Sequence, residues 1–223
     1  MPMRGRSRSA VSAAPATQRS RLWLVGLSLC AVLMFAGTRV EAGLEPRELV
    51  HQASAQVLDA LANEGDALSA DPPRLYALVD TVLLQHMDFE RMSRWVLGKH
   101  WRSATPEQRQ RFVQEFRGLL VRTYATALAS YSGQRVEFIA ERPGASPEEV
   151  VVRTEIQQAG SPPIPVNFSL YRRDGTWKAY DVQIDGISLV ANYRTSFAAE
   201  VRNGGVEGLI QSLAARNRQV STR

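Results

Sequence analysis

The 223-residue sequence predicts an α+β fold, an antiparallel sheet of about four strands covered on one face by helices. Three observations carry this. Helical periodicity fills the chain from Pro46, strand alternation follows from Val136 to Ile184, and helical spacing returns from Tyr193. The stretch Val166–Val190, VNFSLYRRDGTWKAYDVQIDGISLV, reads as two strands joined by a tight turn. A hairpin of this kind cannot stand alone in water, so its apolar face needs the helices as a cover.

The first segment is a leader. Met1–Arg21 is polar and arginine-rich, Leu22–Gly37 is an uncharged apolar run of 16 residues, and Val40-Glu41-Ala42 offers small residues where a signal peptidase reads. The run is short of the ~20 residues that usually span a bilayer, which favours a cleaved signal over an anchor. The expected organisation is a signal peptide over 1–42, one domain over 43–216 and a polar, frayed tail over 217–223. The leader also explains the formal charge of +5. Taking its six arginines and one acid from 27 basic and 22 acidic residues leaves 21 of each. A neutral domain gives no basic stripe for nucleic acid. Cys30, the only cysteine, lies inside the apolar run, so the mature chain is held by its core without disulfides.

The helices follow from their caps. Pro46 suits a first helical position, and Leu49, Ala53, Val57, Ala60 and Leu61 recur at helical spacing to about Asn63. Asp71-Pro72 restarts the pattern, with Leu75, Leu78, Val79 and Val82 on one side. Asp88 caps a third helix carrying Phe89, Met92, Trp95 and Val96, ended by Gly98. Thr105-Pro106-Glu107-Gln108 is a capping box before a long helix that runs to about Tyr131 and stops at Ser132-Gly133. Its apolar stripe includes Phe112, Phe116, Leu119, Leu120 and Leu128. These stripes, Trp95 and Trp101 included, are expected to be core.

The strands follow from alternation. Val136, Phe138 and Ala140 alternate with charged residues, although Ile139 breaks the pattern. Val150, Val152, Thr154 and Ile156 alternate with Val151, Arg153 and Glu155. Asp174-Gly175 supplies the positive φ angles of a type I′ turn. Asp185-Gly186 turns the chain into Ile187–Val190. Tyr193, Phe197 and Val201 mark one helix, and Gly204-Gly205 separates it from a last one with Val206, Leu209, Ile210 and Leu213.

Little in the chain points to catalysis. His51, His86 and His100 have no metal-ligand spacing. No nucleophile elbow, phosphate loop or dinucleotide fingerprint occurs. Asp181 is a candidate general base near Tyr180, weighed against a capping role within the fold. Pro162-Pro163-Ile164-Pro165 reads as a stiff loop into an edge strand, or as a proline-rich ligand for an adaptor.

Two segments go further. Leu97–Phe138 holds a G-x-x-[WY] turn at Gly98–Trp101, then SATP at Ser103–Pro106, Gln108, and the end of a long helix at Tyr131–Gln134. Gly160–Val190 holds the PPIPVNF segment, the WKAYD strand and the DGIS turn, and Gly204–Leu213 adds GGVEGLIQSL. In these residues the chain resembles the MlaC, or toluene-tolerance, family of periplasmic phospholipid-binding proteins, over nearly all of residues 45–216.

The resemblance implies a carrier and not an enzyme. Its fold would be cone-shaped, with a curved sheet and an apolar cavity for the tails of a diacyl phospholipid. It would move lipid between an outer-membrane lipoprotein–porin complex and an inner-membrane ABC transporter complex with its substrate-binding periplasmic subunit. That role would serve outer-membrane lipid asymmetry and requires no cofactor. Matched apolar periodicity nominates Val152, Phe168, Leu170 and Val182 on the sheet and Val96, Phe116 and Leu120 on the helices as lipid-lining residues. The alternative is a small-molecule enzyme of the same architecture using Asp181 as base.

Overall fold

The structure, a computed structural model, describes residues 44–128 and 133–220. The expected leader and the helix stop at Tyr131-Ser132 lie outside the described residues. Among the described residues there are six α-helices and a five-stranded antiparallel sheet, an α+β fold.

The helices begin where local chemistry places their starts. Helix α1 spans Pro46–Ala70, longer than the apolar spacing to Asn63 suggests, because it continues past a break at Glu64 (φ −132°) to bury Leu68. Asp71 caps α2 (Pro72–Val82), accepting from the Arg74 N–H at 3.2 Å. A single 3-10 turn, Leu84–His86, delivers Met87 in extended conformation. Asp88 caps α3 (Phe89–Leu97), accepting from the Arg91 N–H at 2.8 Å. After the short α4 (Lys99–Ser103), the Thr105 box closes reciprocally at the start of α5 (Pro106–Leu128). Gln108 N–H donates to Thr105 Oγ1 at 3.2 Å, and Thr105 N–H donates to Gln108 Oε1 at 3.1 Å. Helix α6 spans Leu189–Val220 and breaks at Gly205, whose φ of 65° separates the two apolar segments read from the sequence.

The sheet is a meander in the order β1-β2-β3-β4-β5: Arg135–Pro143, Glu149–Gln157, Ile164–Arg173, Thr176–Ile184 and Ile187–Ser188. Both aspartate-glycine turns have positive φ at both residues, 50° and 78° at Asp174-Gly175 and 48° and 79° at Asp185-Gly186. These are the angles of a type I′ turn, which matches the strand twist. Ile139 breaks the alternation because it is the extra residue of a bulge in β1; it is 43% exposed. A second irregularity between Ser169 and Leu170 leaves Tyr180 as the extra residue of β4.

Helices α3, α5 and α6 pack on one another, and α1 lies across β1 and β2. Two expectations change. Trp95 is 48% exposed, not core; it tilts against Tyr180 at 5.6 Å while Phe89, Met92 and Val96 take the buried side of α3. The chain at Asn217 is not frayed. The helix continues through it, and buried Asn217 donates from Nδ2 to the Glu115 carbonyl at 3.0 Å and to Glu115 Oε2 at 2.6 Å.

Candidate functional site

Alternation puts Val150, Val152, Thr154 and Ile156 of β2 and Ile164, Val166, Phe168 and Leu170 of β3 on one face of the sheet. Pairing then arranges this inner face in rows. Val150, Leu170 and Ala179 form one end, and Val152, Phe168 and Val182 form the middle. Next come Phe138, Thr154, Val166 and Ile184, and last Val136, Ile156 and Ile164. At the β1 edge the middle row ends on exposed Glu141, which pairs with Val152. Inside that edge only Thr154 is polar, and its Oγ1 donates to the Val166 carbonyl at 2.7 Å within the sheet. Away from the edge the face is therefore apolar with no unpaired hydroxyl.

The two ends differ. At the first row, Leu49 and Val50 of α1 close over Leu170 and Ala179, 1% and 6% exposed, and over Val152 of the next row, while Val150 is partly buried. At the last row, Val136, Ile156 and Ile164 are all only partly buried, as is Ile184 of the row before, and Ile187, paired with Ile184, is 60% exposed.

The apolar interior is divided. Among the described residues the helices form a closed cluster of their own, and the inner face of the sheet forms two smaller ones. A domain of this size ordinarily has one contiguous core. Few side chains connect the clusters. Phe168 touches both sheet clusters, Tyr124 touches the helical one and the second sheet cluster, and Met87 touches all three. Burial, then the neighbouring Tyr193, pushes the Tyr124 phenol up to about 12, so it stays neutral at physiological pH.

This division separates the nominated residues. Val152, Phe168, Leu170 and Val182 lie on the inner face. Val96, Phe116 and Leu120 lie in the helical cluster, so the two sets do not meet in one contact. Phe116 is fully buried, stacked on Phe112 at 5.7 Å and edge-on to Tyr193 at 5.3 Å and Phe197 at 6.2 Å. The α5 stripe found its partner in α6 and not in the sheet. Sequence reading did not single out Met87, Tyr124 or Ile164 as site residues. Ile164 sits behind two prolines and Met87 lies between helices, where no periodicity extends.

Asp181 has a role of its own. Its Oδ2 accepts from Ser188 Oγ at 2.6 Å and its Oδ1 accepts from the Val190 N–H at 3.1 Å, while Ser188 Oγ accepts from the Ala191 N–H at 3.1 Å. Both carboxylate oxygens are committed to the start of α6, which is the capping role.

Glu149 and Tyr171 alternate with the inner-face residues and point to the other face. A cleft of about 360 Å³ there is lined by Asp88, Glu90, Arg91, Arg94, Trp95, Tyr171 and Arg173. The Arg91 guanidinium lies 4.0 Å from the Tyr171 ring centre and 4.1 Å from that of Tyr180. Each arginine has an acid: Arg91 pairs with Glu149, Arg94 with Glu90, and Arg173 with Asp88. With its charges matched and its rings stacked, this cleft ties α3 to the sheet; it is not a place for hydrocarbon. Among the described residues no group of three or more His, Cys, Asp or Glu is placed to hold a metal, and no helix is long and apolar enough to cross a membrane.

A one-sided sheet whose apolar face is only partly covered, beside a helical body with its own core, defines an open-sheet α+β protein with an internal apolar face. The chain belongs to the MlaC family, whose sequence model, described as "MlaC protein", matches residues 51–215. It is 26% identical over 194 residues to the intermembrane phospholipid transport system binding protein MlaC of Haemophilus influenzae, covering 86% of this chain and 91% of that one. It is 25% identical over 165 residues to the toluene tolerance protein ttg2D of Pseudomonas putida, covering 74% of this chain and 76% of that one. A solved structure of a phospholipid-binding protein from Ralstonia solanacearum, in complex with a phospholipid, matches with a TM-score of 0.73 at 33% identity. That match covers 80% of this chain and 99% of the other.

Proposed function

We propose that this protein is a periplasmic carrier of diacyl phospholipid, holding the acyl tails against the inner face of the sheet and exchanging its cargo with membrane-bound complexes. The observation that carries this reading is the divided interior: an apolar inner face that neither the helical core nor α1 fully covers. Family membership and the phospholipid in the Ralstonia relative support it.

The energetics suit the role. Two tails with ~30 methylenes cost about 25 kcal/mol to hold in water, at ~0.8 kcal/mol each, so free passage across an aqueous compartment is negligible. Apolar contact offsets that cost without fixing the chain's identity. The lining set is Val152, Phe168, Leu170 and Val182 with Phe138, Ile156, Ile164 and Tyr124. The helical residues Val96, Phe116 and Leu120 are the closed body behind it. The donors and acceptors of cargo are the outer-membrane lipoprotein–porin complex and the inner-membrane ABC transporter complex. The leader exports the chain to the space between them.

The test is mass spectrometry of an organic extract of the purified mature protein, beside Phe168→Arg, which puts a charge in the middle row. Stoichiometric diacyl lipid in the native protein and its loss from the folded variant are expected. A native extract free of diacyl lipid, from protein that also takes none from phospholipid vesicles, sinks the reading.

A further inference from the structure

We infer that Met87 forms the closed end of the tail site and thereby sets the acyl-chain length this protein accepts; this rests on the proposed carrier function. Three observations converge on the residue. It is the one described side chain that packs against all three apolar clusters. Its backbone is fixed at the edge of the sheet: Met87 forms a parallel bridge with Ala179, and the next N–H, that of Asp88, donates to the Ala179 carbonyl at 2.8 Å. It also remains only partly buried although it touches three clusters, so packing leaves part of its surface uncovered.

The bridge extends the first inner-face row to Val150, Leu170, Ala179 and Met87. Ala179 is the smallest side chain of that row, and Met87 stands beside it. This is the end that Leu49 and Val50 cover, while the isoleucine end is open. From Ile164 to Leu170 is six residues of β3, ~20 Å at the rise of a strand. An extended hydrocarbon advances roughly 1.25 Å per carbon from its ~1.5 Å bonds, so ~16 carbons fit between the open end and Met87. An unbranched thioether at that stop can change rotamer and take up small differences in length.

The experiment loads the native protein, Met87→Ala and Met87→Trp from vesicles of mixed phosphatidylethanolamines with saturated chains of graded length. Folding is checked by circular dichroism, and the bound lipid is read by mass spectrometry. Alanine lacks three heavy atoms that span about 4 Å, so the Met87→Ala distribution should move up by about three carbons. Tryptophan should move it down by two or more. Should Met87→Trp fail to fold, the alanine arm decides alone. Native protein that loads lipid, with a folded Met87→Ala variant of unchanged chain-length distribution, overturns this inference and leaves the carrier reading intact. Native protein that takes up no lipid overturns both.

Discussion

Asp88→Ala should destabilise the protein by about 3 kcal/mol. The Asp88 side chain is 7% exposed and serves two elements at once. Its Oδ1 accepts from the Arg91 N–H at 2.8 Å, which caps α3, and its Oδ2 accepts from the Tyr171 hydroxyl, which ties that cap to β3. Loss of an N-cap costs ~1 kcal/mol. Loss of a hydrogen bond to a charged group costs ~1.5–3 kcal/mol. Arg173 adds an ion pair at 3.1 Å, but its side chain is 55% exposed, so its share is taken as negligible. With a urea dependence of ~2 kcal/mol per M, the unfolding midpoint should fall by roughly 1.5 M. Asp88→Asn keeps the cap and an acceptor and should lose about half as much. The measurement needs lipid-free protein, because bound ligand adds stability by mass action. A loss below ~1 kcal/mol for the alanine variant would refute the assignment of Asp88 as the joint between α3 and the sheet. Acid should act through the same group. Burial alone would raise the Asp88 carboxyl, but the bonds from Tyr171 and Arg91 and the charge of Arg173 outweigh it and hold it below the ordinary range. A lowered folded value means that its contribution is present above the unfolded pKa of ~3.9 and is lost as pH falls through the folded value. Asp88→Asn should therefore flatten the loss of stability below about pH 4.

Two further changes test the local devices. Thr105→Ala breaks the reciprocal box at the start of α5 and should cost ~1 kcal/mol in the same urea assay; an unchanged midpoint would show the box to be ornamental. Asp181→Ala removes the carboxylate from the start of α6 and should cost ~1–2 kcal/mol while leaving the extracted lipid unchanged, whereas a folded variant that loses a turnover would restore the general-base alternative.

Much of the fold was legible because its signals are local. A cap is made by residues three apart, so Asp71, Asp88 and Thr105 could be read directly, and each makes the bond its position demands. The two aspartate-glycine pairs fixed both turns for the same reason. Even the defect at Ile139 was visible as a break in alternation, since a bulge shifts the face by one residue. Tertiary partnership was not legible. The α5 stripe has the same spacing whether it meets a sheet, a helix or a lipid, and Phe116 met Phe197. Trp95 shares a face with Met92 by spacing, yet it stays 48% exposed with its ring tilted against Tyr180, the extra residue of a distant bulge. Met87 gives no signal at all, because its position comes from one long-range bridge to Ala179.

The divided interior has a consequence for the empty carrier. A protein that releases its cargo must survive without it. Among the described residues the helical cluster holds 24 buried apolar side chains, while the sheet clusters hold five and three. At ~1.5–3 kcal/mol for each fully buried aliphatic or aromatic side chain, about three-quarters of the hydrophobic stabilisation lies where the tails do not reach. Removing lipid should then loosen the sheet and its cover without melting the helices. Hydrogen exchange read by mass spectrometry separates the two. Peptides from 44–53, 149–157 and 164–173 should lose protection when lipid is extracted, and peptides from 89–97, 106–121 and 193–213 should keep theirs. If protection falls uniformly, cargo is part of the core and the helical body is not self-sufficient. If it falls nowhere, the sheet and its cover hold their order without cargo and the inner face is a preformed site.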